Sequence, residues 1–72
     1  MVNGGVITVI INGQPRQVAE LLHVSGLLHA LGIPQEGTLV EKNGEALFPR
    51  EFAATPVAEN DRFELVRIAA GG

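Results

Sequence analysis

His23 and His29 are the only imidazoles in this 72-residue chain, and there is no cysteine. On a continuous helix a separation of six residues turns the two rings about 240° apart, so one metal could not take both. Each histidine therefore reads as a surface or half-buried side chain. Without thiols there is no disulfide, no thiolate nucleophile and no thiolate metal site. The eight acids stand singly in turns and strands and read as solvation, with no pair that points to general acid–base work. Lys42 reads as an exposed strand end, and Arg50, after Pro49, as a cap or a surface ion pair. No glycine loop leads into a lysine, no G-x-G-x-x-G opens a helix, and neither H-E-x-x-H nor G-x-S-x-G occurs. By elimination, the chain is expected not to be an enzyme on its own and to bind no metal or cofactor.

One group remains. The stretch "VRIAAGG" (66–72) closes on Gly71 and Gly72, and the carboxylate of Gly72 is a candidate reactive group. A carboxylate is a poor electrophile until ATP converts it to an acyl adenylate. To reach an adenylating site, the chain end must enter a narrow channel in extended form. Glycine suits that threading because it has no Cβ to clash and accepts any backbone angle. Ala69 and Ala70 continue the slim profile. The competing reading is a frayed end of no consequence. Gly4 and Gly5 form a second pair where no such role is plausible, so the pair alone decides nothing.

The elements that must position this tail are legible from period and turn chemistry. "VITVII" (Val6–Ile11) is a run dense in β-branched residues, which favours a strand buried on both faces. It ends at Asn12-Gly13, a pair suited to a tight hairpin because both residues tolerate positive φ. "QPRQVA" is the return strand, and Pro15 cannot donate to a ladder, so this strand belongs on an edge or begins past it. A helix is expected from about Val24, with Leu21 and Leu22 in the preceding strand end or loop. Gly32 followed by Ile33-Pro34 stops it. Gly26 inside the helix costs about 1 kcal/mol relative to alanine.

"GTLVEK" is a third strand and "EALFP" a short return after a second turn pair, Asn43-Gly44. Both Asn-Gly pairs read as turn chemistry and nothing more. "REFAATPVAEND" has no sustained period and should be a compact connection with room for one helical turn. "RFELVRI" then alternates, with Phe63 and Leu65 on one face and Arg62, Glu64, Val66 and Ile68 on the other. The order β-β-α-β-β-β predicts an α+β domain, a mixed sheet of four or five strands with one main helix on one face. The first hairpin, the helix and a later strand are compatible with a right-handed crossover. Residues 1–68 form this domain and residues 69–72 a flexible tail.

Val66 and Ile68 are apolar residues on a face that Arg62 and Glu64 mark as wet, next to the tail. They are candidates for partner docking; the alternative is that they pack under the strand's own neighbours.

Composition narrows the rest. A chain this short buries only about 60% of its unfolded surface, so the core is thin. The net charge of −3, a pI of about 5.1 and only three aromatics, all phenylalanine, argue against nucleic acid. No apolar stretch reaches the roughly 20 residues that span a bilayer. "MVNGG" lacks the features of an export signal, so the expected location is the cytoplasm.

The segments "VIINGQPRQV", "LLHALGIP" and "NGEALFPREFAATPVAENDRFELV", with the closing "GG", resemble the ThiS family of sulfur carriers. That family lies within the ubiquitin-like β-grasp group and is related to MoaD. The resemblance covers most of the chain from Val6 onward and is most specific from Asn43 to Val66.

It implies that Gly72 supplies the carboxylate that a ThiF-like enzyme adenylates with ATP. A sulfur donor then converts it to a thiocarboxylate, which serves a ThiG-like thiazole synthase in thiamine biosynthesis. Gly71 would give clearance beside it, and the carrier would be a monomer when free. Where the family commonly shows D-G-D ahead of the last strand, this chain has Glu59-Asn60-Asp61. Asn60 tolerates the left-handed conformation, so the turn should survive. No proline precedes the terminal glycines, which favours ThiS over MoaD-like chains. The open alternatives are a carrier for molybdopterin, tRNA thiolation or cysteine synthesis, a ubiquitin-like protein modifier, and an interaction domain with an inert tail.

Overall fold

The computed structural model describes residues 5–68. The expected tail, 69–72, with Gly71 and Gly72, lies outside them. Five strands and one α-helix follow the predicted order: β1 (Val6–Ile11), β2 (Gln14–Ala19), α1 (Val24–Leu31), β3 (Thr38–Lys42), β4 (Glu45–Leu47) and β5 (Arg62–Arg67), with a 3-10 turn at Pro49–Glu51. The sheet is mixed, in the order β2-β1-β5-β3-β4. β5 runs parallel to β1 and antiparallel to β3, so the last strand lies at the centre of the sheet. β2 is an edge strand, as Pro15 requires.

The two Asn-Gly pairs turn the hairpins with all four residues at positive φ: Asn12 50°, Gly13 82°, Asn43 53° and Gly44 88°. Such primed turns match the twist of the strands that they join.

α1 begins where the periodicity put it, and Gly26 sits inside it. Its N-terminal end has no side-chain cap. Instead, Val24 N–H donates to the Thr55 carbonyl at 2.9 Å and Ser25 N–H to the Phe52 carbonyl at 3.1 Å. The connection after β4 thus serves amide groups that a helix start leaves without partners. At the other end Gly32 takes φ 73°, and Ile33 N–H closes on the Leu28 carbonyl at 2.9 Å.

The helix lays Val24, Leu27 and Leu28 on a core that includes Val9, Ile11, Val40, Phe63 and Leu65 of the sheet. Phe52 and Val57, from the segment without a period, complete this core. β1 departs from the expected double burial. Val9 and Ile11 are buried, but Val6 is exposed and Ile7, Thr8 and Ile10 are half-buried. β-branching set the strand, whereas coverage by a single helix set the burial.

Candidate functional site

β5 leads to the tail, and three sets of side chains fix its position. Its first anchor is the turn ahead of it. Asn60 takes the left-handed conformation at φ 70°, so the Glu59-Asn60-Asp61 turn forms without a glycine. Asp61 is 9% exposed, which corrects its assignment to solvation. One carboxylate oxygen accepts from Ala58 N–H at 2.8 Å and the other from the Asn43 amide at 3.0 Å. Lys42 Nζ lies 3.6 Å from Asp61 and donates to the Pro56 carbonyl at 2.9 Å. Lys42 is therefore half-buried and partnered, not an exposed strand end. Glu59 is likewise more than a solvated charge, since Thr8 N–H of β1 donates to its carboxylate at 3.0 Å.

The second set corrects the reading of the asparagines as turn residues only. The Asn12 amide oxygen accepts from Leu65 N–H at 2.8 Å, and its nitrogen donates to the Leu65 carbonyl at 3.2 Å. The parallel register between β1 and β5 runs only through Ile10–Arg62 and Ile11–Phe63. Asn12 extends it, first by its backbone N–H to the Phe63 carbonyl at 2.8 Å and then by its side chain. Asn43 does the same from the other hairpin, accepting from Arg62 N–H at 2.8 Å.

The third set holds the far end of β5. Arg67 Nη1 donates to the Glu36 carbonyl at 2.7 Å and to Thr38 Oγ1 at 2.8 Å. Ile68 N–H donates to the Gly37 carbonyl at 2.8 Å.

The period-two reading of β5 agrees with the geometry. Phe63 and Leu65 are buried, while Arg62, Glu64, Val66 and Ile68 are exposed. Val66 is 54% exposed and Ile68 52%, so neither packs under the strand's neighbours. Directly across from Val66 in the register stands Leu39 of β3, 55% exposed. The sequence reading missed Leu39. The signal was available, since Leu39 alternates with Glu41 as Val66 does with Glu64.

Glu41 and Glu64 also face each other across the two strands. The four side chains Leu39, Glu41, Glu64 and Val66 line an open depression of about 280 Å³. Like charges placed directly opposite are unfavourable, and among the described residues no basic side chain comes within ion-pair distance of either carboxylate.

His23 and His29 are both exposed, and no group of acids and histidines among the described residues could hold a metal. Arg50 neither caps nor pairs with an acid there. Its guanidinium lies 4.7 Å over the ring of exposed Phe48. No helix among the described residues is long and apolar enough to cross a membrane.

A mixed five-stranded sheet with one helix on one face and the last strand at its centre is an α+β β-grasp domain. The family model described as "ThiS family" matches residues 9–72. The crystal structure of the thiamine biosynthesis protein ThiS from Geobacter metallireducens superposes with a TM-score of 0.79 at 40% identity. It covers 92% of this chain and 100% of that one. A solution structure of a thiamine biosynthesis protein from the same organism gives 0.78 at 39% identity, covering 92% and 88%.

Two relatives align along the sequence. The uncharacterized protein ycf40 of Porphyra purpurea is 33% identical over 66 residues, covering 92% of this chain and 93% of its own length. A thiazole synthase of Paramagnetospirillum magneticum is 32% identical over 63 residues, 88% of this chain. The chain spans only 19% of that protein's length. This chain belongs to the ThiS family of thiamine biosynthesis, whose members are carrier proteins and not catalysts.

Proposed function

We propose that this chain is the sulfur carrier for thiazole formation, with Gly72 as the group that carries sulfur. A carboxylate oxygen of Gly72 attacks the α-phosphorus of ATP on a ThiF-like adenylating enzyme, and pyrophosphate leaves. Hydrosulfide released by a donor attacks the acyl carbon, AMP leaves with the bonding electron pair, and a thiocarboxylate results. A ThiG-like thiazole synthase takes the sulfur into its substrate, an oxygen from that substrate or from water replaces it on the acyl carbon, and the carboxylate returns for the next cycle. ATP and the sulfur donor are used by the partner enzyme, and the carrier holds no cofactor of its own. Gly71 gives the backbone clearance for the narrow approach. The cycle between such enzymes belongs in the cytoplasm.

The observation that carries this reading is the family match, which runs through to residue 72 and so includes the glycine pair. The thiazole synthase relative supports the destination. Most of this chain aligns within about a fifth of that protein, so a carrier-like segment shares a polypeptide with a synthase. Joining two modules raises the effective concentration of one at the other, an arrangement that serves partners in one reaction.

Docking is assigned to Leu39, Val66 and Ile68, an exposed apolar strip that leads toward the tail. Glu41 and Glu64 beside it favour a partner surface with basic groups around an apolar centre.

The test is an intact mass after incubation with a ThiF-like enzyme, ATP and a sulfur donor. An oxygen-to-sulfur exchange is expected, and deletion of Gly72 should abolish it. If the full chain forms neither adenylate nor thiocarboxylate, the carrier reading is wrong.

A further inference from the structure

The last residues of β5 are held by a side-chain contact in addition to the ladder with β3. The segment between α1 and β3, residues 32–37, curls so that two of its groups converge on one guanidinium. The Thr38 hydroxyl, on a residue 4% exposed, donates to the Pro34 carbonyl at 2.6 Å. Its oxygen is thereby oriented as an acceptor for Arg67 Nη1 at 2.8 Å, beside the Glu36 carbonyl at 2.7 Å. Gly37 makes room, with φ at 77° and the site of an added Cβ only 3.3 Å from Arg67 Nη1. Immediately after Arg67, Ile68 N–H takes the Gly37 carbonyl. Hydrogen bonds from a charged donor are about twice as strong as neutral ones, and a guanidinium holds direction as well as distance.

We propose that Arg67 is a positioning residue for the carboxyl-terminal residues: its clamp on Glu36 and Thr38 fixes the root from which 69–72 reach the adenylating site. The inference rests on the carrier reading above. A root held in one place narrows the region that the chain end has to search, and so lowers the entropy lost on engagement. Misplacement by about 1 Å at a reacting group can cost on the order of a hundredfold in rate. Docking through the side chains of Leu39, Val66 and Ile68 uses the outward face of β5, whereas Arg67 falls on the face of Phe63 and Leu65 by the period of two. Loss of Arg67 should therefore lower kcat and leave KM nearly unchanged.

The experiment follows ATP–pyrophosphate exchange by a ThiF-like enzyme over a range of full-length carrier concentrations. It compares the wild-type chain, Arg67→Ala, Arg67→Lys and Thr38→Val, each checked for fold by circular dichroism. Arg67→Ala should lower kcat by roughly tenfold with KM within about twofold. Arg67→Lys should recover only part of the rate, because an ammonium keeps the charge but not the planar, directional fork. Thr38→Val, which removes one acceptor, should fall between them and carries the test if Arg67→Ala does not fold. Wild-type kcat in Arg67→Ala or, where that variant is unfolded, in Thr38→Val overturns the clamp. A loss that appears in KM also overturns it. A wild-type chain that supports no exchange at all overturns the carrier reading, and this inference with it.

Discussion

Asn12 and Asn43 occupy turn positions, yet much of what they hold lies elsewhere in the chain. Each uses its backbone to reverse a hairpin and its side chain to grip β5. The turn was legible because Asn-Gly tolerates positive φ whatever surrounds it. The grip was not, because the partner of Asn12 is 53 residues away and only the folded sheet brings it near. Asn12→Ala should leave the part-buried Leu65 N–H and carbonyl without their partners, at a cost of about 2 kcal/mol. Urea denaturation would show this as a lower midpoint with an unchanged slope. A midpoint equal to wild type would mean that water replaces the amide at no cost. Asp61 makes the same point about charge. As one acid among eight it read as solvation, but in the fold it joins Ala58, Asn43 and Lys42 at the entry to β5.

Among the elements, α1 was the least secure by propensity and the best explained by its surroundings. An eight-residue helix is too short to stand alone in water, and Gly26 weakens it further. It forms because Val24, Leu27 and Leu28 are buried against the sheet and because carbonyls from the loop at 52–55 take its first amides. A Cβ at position 26 would meet Leu22 Cδ2 at 3.2 Å, the free end of a half-buried side chain. Because that end is flexible, Leu22 is expected to give by a few tenths of an ångström. Gly26→Ala should then raise stability by about 0.5–1 kcal/mol, from helix propensity alone. A thermal melt would register the gain as a higher Tm, and a lower Tm would show that Leu22 cannot yield. The strands were easier to read than the helix. Alternation in β3 and β5 and the two turn pairs mark their own limits, whereas a helix start without a capping side chain has no sequence signature.

For the whole molecule, the consequence of one helix and one sheet is an uncovered sheet face. Its apolar members Leu39 and Val66 sit opposite each other in the register, with Ile68 beyond them. Exposed side chains of this kind contribute little to folding. Val66→Thr and Leu39→Thr, which add no charge and keep a strand-forming side chain, should each change stability by no more than about 0.5 kcal/mol. Under the proposed docking, either change should nonetheless weaken binding of the carrier to a ThiF-like enzyme. Calorimetric titration would read this directly, with wild-type affinity in both variants removing the strip from the interface. The design keeps the two duties of β5 apart. Its inward residues, Phe63 and Leu65, hold the core, and its outward residues stay exposed.

The sequence by itself determined the element order, the two hairpin turns, the edge position of the proline-bearing strand and the absence of familiar catalytic spacings. These follow from backbone sterics and from periods of 2.0 and 3.6, which act between near neighbours. Tertiary structure alone decided that Leu39 stands beside Val66, that both asparagines and Asp61 anchor β5, and that Arg67 is clamped by the loop ahead of β3. Such pairings join residues 18 to 53 positions apart, as for Asn43 with Asp61 and Asn12 with Leu65. No local preference specifies a partner at that distance; the burial of one face of the sheet under one helix does.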